Sequence, residues 1–192
     1  KVNNLMNTKT KKLSTVSMVL CGMFATLVAI GAFIQIPVPY MDYFTLQFFF
    51  VLLAGLILGA DKGAISVGCY VLLGLVGVPI FAAGGGIGYI FRPSFGYLVG
   101  FIVSAYVTGK VCEKLKASYK NYLLACLAGF VVTYAIGIVY KFIILNFYAH
   151  TPATLGVIFL SCFPLDMPGD FVLCLLAAGV GLRMRKSGFY LS

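Results

Sequence analysis

Six apolar runs, each about as long as a bilayer crossing, follow one another through this chain with short interruptions. They cover residues of about 13–36, 44–60, 64–80, 93–111, 122–148 and 168–184. A spanning helix needs about 20 largely apolar residues. The composition leaves those runs no other destination: 61% of residues are hydrophobic, 10% are charged, and the mean hydropathy is +1.04. Soluble domains carry about a quarter charged residues. With 192 residues, the spans fill the chain. No separate soluble catalytic or nucleotide-binding domain is expected within these residues. The expected fold is an all-α membrane protein, a single integral domain over 1–192 built as a six-transmembrane-helix bundle.

The net charge of +9 would suit a nucleic-acid binder if the basic residues formed a patch. They fall instead in the short segments between runs. Lys1, Lys9, Lys11 and Lys12 precede the first run, and Lys62 lies between the second and third. Lys110, Lys114, Lys116 and Lys120 separate the fourth and fifth, and Arg183, Arg185 and Lys186 end the last. With six spans these twelve of the fourteen basic residues share one side, which places both termini in the cytoplasm. No nucleic-acid partner is expected; membrane lipid is.

The six cysteines show no CxxC and no metal-ligand spacing, so they read as small hydrophobes and no metal is expected. The first run is too long for a signal-peptide core and is followed by more spans. The Gly84–Gly88 stretch lacks the GK[ST] ending of a phosphate loop, and no catalytic serine or zinc motif occurs. His150 reads as a loop residue, and 150–164 as a long outer loop or half-helix. Small residues recur four apart at Cys21, Ala25 and Ala29, at Gly55 and Gly59, and at Gly96 and Gly100. Such faces let helices approach closely. They suit packing within the bundle, and the Ala25/Ala29 stripe also suits docking of a partner.

Polar groups within a membrane are costly, so each is a candidate for function. Those here gather at the outer ends of the spans: Gln47, Arg92, Lys141, Asn146, and Asp166 with Asp170 four residues on. The helix dipole favours carboxylates at a helix start, so capping and a salt bridge to Lys141 or Arg92 would account for the aspartates. A ligand cavity accounts for the whole group, with the loop of Gly84, Gly85 and Gly86, and Tyr89 beyond it, offering backbone N–H groups and close approach.

These residues carry a resemblance. Phe81-Ala82-Ala83-Gly84-Gly85-Gly86-Ile87-Gly88-Tyr89, then Pro93 to Phe101, resembles the BioY family, the biotin-binding S-components of energy-coupling factor (ECF) transporters. The likeness extends to Thr45-Leu46-Gln47, Leu53 to Gly59, Gly63 to Gly68, Gly77-Val78-Pro79 and Pro168-Gly169-Asp170, in order, over nearly all of 14–185. It implies a protein without catalytic residues or cofactor that captures biotin from outside. It also implies a transmembrane coupling protein (T-component) and two ABC-type ATPases as partners, with Ala25 and Ala29 as the coupling contact. Asp170 matches the aspartate at the ureido ring, and Gln47 and the glycine loop match pocket segments. The family often has a lysine three residues after that aspartate, where this chain has Leu173. The cation for the ligand carboxylate is then expected to be Arg92, with Lys141 as second choice.

Two other classes fit some of the residues. A solitary or proton-coupled carrier for a small carboxylate vitamin would use Asp170 and Lys141. An intramembrane enzyme would use Asp166 and Asp170 as a carboxylate pair, since positions four apart on a helix lie together.

Overall fold

The computed structural model describes residues 14–36, 44–149, 151, 153–162 and 166–188. It is all-α apart from a two-residue hairpin rung. Helices α1 (Thr15–Phe33), α2 (Gln47–Leu58), α3 (Ala60–Val76), α4 (Phe95–Lys114), α5 (Tyr119–Ile143), α6 (Leu155–Cys162) and α7 (Asp166–Lys186) follow in order. A short 3₁₀ turn covers Ile87–Phe91, and α5 runs on as a π-helical turn over Ile144–Tyr148. Strands β1 (Gln35–Ile36) and β2 (Phe44–Thr45) pair antiparallel between α1 and α2.

Four of the described helices are long and apolar enough to cross a membrane: α1, α4, α5 with its π turn, and α7. The second and third spans differ from the sequence expectation. Phe44 and Thr45 pair with β1, just past the end of α1, so α2 begins only at Gln47 and has 12 residues. That is about 18 Å, short of a bilayer core. The expected break between the second and third spans, at 61–63, is instead a single residue, Gly59. Gly59 adopts φ 82°, a left-handed value that glycine reaches without a Cβ clash, and α3 starts at once with Ala60. The chain reverses there, bringing Tyr70 back beside Gln47. Glu113 of α4 accepts from the Ala60 N–H at 2.9 Å, satisfying one donor at the start of α3. Gly109 fits beside it, because any side chain would strike the Ala60 and Gly59 backbone.

The other elements shift by a turn or less. α4 extends to Lys114, α5 starts at Tyr119, and α7 takes Pro168 into its first turn, where a missing N–H costs little. The 150–164 region holds the half-helix option, as α6. The largest interface joins α4 to α5, where Gly96, Gly100, Gly129 and Gly137 seat side chains or backbone of the other helix. One hydrophobic core runs through α1, α2, α3, α4, α5 and α7. Cys21 and Ala25 are buried in it and Ala29 is half-buried, so of the α1 stripe Ala29 keeps the open surface. The six cysteines are free, and five are buried. The connection between the first two expected spans (37–43), the basic residues at 1–12, and His150 lie outside the described residues.

Candidate ligand-binding site

The antiparallel threading sends Gln47, the 77–94 connection, the start of α4, the end of α5 and the start of α7 to one end of the bundle. Lys62, Glu113, Lys120 and Arg185 go to the other. At the first end an open cleft of about 770 Å³, mouth included, lies among these elements. Small-molecule sites have this mixture of apolar wall with a few fixed polar groups. The wall is Phe48, Leu98, Phe101 and Phe44; the polar groups are Gln47, Tyr89, Ser94, Tyr97, Tyr134, Lys141, Asp166 and Asp170, with Thr45 at the hairpin.

Each polar group has a local reason to be there. Asp166 and Asp170 are one turn apart at the start of α7, where the helix dipole favours their charge. Gly169 between them lies against the Phe44 ring, so α7 seats on the hairpin. Tyr134 of α5 donates its hydroxyl to Asp170 Oδ2 at 2.8 Å. Tyr97 of α4 packs edge-on to Tyr134, ring centroids 5.8 Å apart, and its hydroxyl lies 3.1 Å from the Cys162 thiol of α6. Ser94 Oγ is buried at the foot of α4 with no hydrogen-bond partner among the described residues. Buried hydroxyls are rarely left so, and this one lines the cleft. Gln47 is buried; its Oε1 accepts from Thr45 Oγ1 at 3.2 Å and its Nε2 donates to the Tyr70 hydroxyl.

Of the residues singled out by sequence, Gln47, Tyr89, Lys141, Asp166 and Asp170 come together around this cleft. Arg92 does not. The 3₁₀ turn ends at it and leaves it exposed, its guanidinium 5.3 Å from the Tyr89 ring centroid and outside the cleft lining. Among the described residues, the cation in the cleft lining is Lys141, the second choice. Asn146 is also elsewhere: it holds the π turn to the approach of α6, donating to the Phe142 and Ala153 carbonyls and accepting from the Ala153 N–H.

Gly84, Gly85 and Gly86 are outside the lining too. Phe81 and Gly84 exchange backbone hydrogen bonds at 2.9 and 3.1 Å, and the Gly86 N–H donates to the Gly74 carbonyl at 2.7 Å. The N–H groups of Gly84 and Gly86 are thus spent in folding the connection. Their φ values of 110° and 103° explain why glycine stands there. What the turn delivers to the cleft is Ala82 before it and Tyr89 after it.

Tyr97, Tyr134, Ser94 and Tyr70 are not conspicuous in the sequence. A tyrosine inside an apolar run scores as part of the run. Only the pairing of α5 with α7 shows that Tyr134 meets a carboxylate 36 residues away.

Fold and site together define a multi-pass α-helical membrane protein with a small-molecule cleft at one end of its bundle. The model of the BioY family matches residues 6–188, and the chain belongs to that family. It is 39% identical over 177 residues to the probable biotin transporter BioY of Lysinibacillus sphaericus, covering 92% of this chain and 90% of that one. It is 38% identical over 169 residues to the biotin transporter BioY of Thermotoga maritima, covering 86% and 93%. In fold it resembles the crystal structure of the S-component for biotin from an ECF-type ABC transporter. That likeness has a TM-score of 0.80 at 24% identity, over 91% of this chain and 93% of that one.

Proposed function

We propose that the chain is the biotin-binding S-component of an ECF-type transporter, taking up biotin across the cytoplasmic membrane and catalysing no reaction itself. The observation that carries this reading is the cleft of a BioY-family chain holding a carboxylate already steered by a donor, Asp170 under Tyr134, together with the ammonium of Lys141. Biotin offers a ureido ring with two N–H donors and a carboxylate tail. With Tyr134 on Oδ2, the ureido donors meet the other side of the Asp170 carboxylate. The tail carboxylate turns to Lys141, a point charge that can follow it. Phe48, Leu98 and Phe101 cover the apolar body between, and Ser94 offers a further hydroxyl.

The finer topology follows from the same reading. In it, α2 with its hairpin and α3 act as the second and third of six spans and both termini lie in the cytoplasm, a reading supported by Lys62, Lys120 and Arg185 at the end opposite the cleft. The cleft then opens outward. Uptake requires a transmembrane coupling protein and two ABC-type ATPases, since one binding cleft supplies no energy. On α1 the coupling contact runs along Ala25 and Ala29, and Ala29 keeps the open surface.

Calorimetry on the purified chain in detergent tests the binding step: single-site biotin binding supports the reading, and no heat at ligand excess refutes it. Uptake into vesicles with and without the ATPase partners separates the S-component from a carrier that works alone.

A further inference from the structure

The hydroxyl of Tyr70, outside the cleft lining, is the junction between two of its walls. Tyr70 is fully buried on α3. Its hydroxyl accepts from Gln47 Nε2 and donates to the Ile80 carbonyl at 3.1 Å. Gln47 Oε1 accepts from Thr45 Oγ1. A phenol has one proton, so the chain of donors has a direction, from Thr45 to the Gln47 amide and from that amide through Tyr70 to Ile80. Turning the amide over would set its oxygen against Tyr70 and draw the phenol proton away from Ile80. Ile80 leads into Phe81, whose ring lies on Gly74 and packs against Tyr70 at 5.5 Å and Tyr89 at 4.6 Å between centroids. Tyr89 lines the cleft. One hydroxyl therefore holds both the Gln47 wall and the segment that brings Ala82 and Tyr89.

We propose that Tyr70 is a positioning residue for ligand binding: its hydroxyl fixes which way the Gln47 amide faces and pins residues 77–92, so that both walls are set before the ligand arrives. The proposal rests on the reading of the cleft as the biotin site. With one N–H given to Tyr70 and one lone pair given to Thr45, Gln47 keeps one N–H and one lone pair for the ligand. Setting a wall in advance lowers the ordering cost of binding and shows mainly in the dissociation rate.

Tyr70→Phe removes the hydroxyl and keeps the ring against Phe81. The expected result is dissociation of radiolabelled biotin faster by about tenfold, the size of one lost buried hydrogen bond, with an association rate within about twofold. A residue that only stabilised the fold would weaken binding equally in any background. Acting through Gln47, Tyr70→Phe instead costs under about threefold when added to Gln47→Met. Wild-type dissociation from Tyr70→Phe, or the full tenfold again on Gln47→Met, overturns the assignment. If Tyr70→Phe does not yield monodisperse protein, Thr45→Val breaks the same chain at its other end; faster dissociation supports the relay and wild-type dissociation refutes it. Absence of biotin binding in the unsubstituted protein refutes the ligand reading instead. Hydrogen exchange of 77–92 without ligand then decides the pin: faster exchange in Tyr70→Phe supports it and unchanged exchange refutes it.

Discussion

Replacing Asp170 by asparagine tests the polar heart of the cleft with a change of almost no volume. In the protein as it stands, Tyr134 donates to Oδ2 at 2.8 Å, and the carboxylate accepts on all sides. An asparagine has one accepting and one donating face. If its oxygen takes the Tyr134 proton, its NH₂ confronts the ureido N–H groups of biotin, donor against donor. If it turns over, the ligand is served and the Tyr134 proton is orphaned. Either way one buried donor goes unpaired, at about 1–3 kcal/mol, and a charge-assisted bond of about 1.5–3 kcal/mol is weakened. The expected loss is on the order of 100-fold or more in Kd. Tyr134→Phe alone takes one donor from the carboxylate and should weaken binding by about tenfold. The pair together distinguishes this argument from simple damage. Once Tyr134→Phe has removed the competing hydroxyl, the side-chain amide introduced by Asp170→Asn is free to present its oxygen to the ligand. The double variant Asp170→Asn/Tyr134→Phe should therefore bind about tenfold more tightly than Asp170→Asn alone. Calorimetry of the four proteins measures this directly. A double variant weaker than Asp170→Asn by the same factor that Tyr134→Phe costs the unsubstituted protein would refute the shared-carboxylate arrangement.

Other consequences follow from particular contacts. Lys141→Ala should weaken biotin by about tenfold or more yet scarcely change the affinity for biotin methyl ester, whereas Arg92→Ala should leave biotin within about twofold; competition binding reads both. Gly109→Ala places a methyl against the Ala60 and Gly59 backbone. It should destabilise by about 1–3 kcal/mol, seen as a lower Tm in detergent. Gly86→Ala forces an L side chain to φ 103°, costing about 1–2 kcal/mol and raising hydrogen exchange over 77–92.

Much of this architecture can be read from hydropathy, because long apolar runs in a membrane have few alternatives. The boundary errors fall where non-local contacts intervene. The Thr45–Gln35 pairing delays α2, and Glu113, 53 residues away, caps α3 right after Gly59. Asp166, Asp170, Lys141 and Gln47 stood out as candidates because a polar side chain in an apolar run is conspicuous. Arg92 was equally conspicuous, but the 3₁₀ turn that ends at it leaves it exposed over the Tyr89 ring, and no spacing rule shows that. The glycine run was legible as a special backbone; its use, folding the connection and not binding through N–H groups, depends on the Gly74 carbonyl and the Phe81 strand bridge. Tyr134 and Tyr70 were hidden because a phenol counts as apolar until its partner is known.

The most direct test is a structure of the protein with biotin bound. Biotin should lie in the cleft between the Gln47 end of α2 and the start of α7. The ureido ring should lie within hydrogen-bond distance of Asp170 and the carboxylate beside Lys141. Biotin seated elsewhere, or in the cleft with its carboxylate on Arg92 and its ureido ring away from Asp170, would contradict this placement.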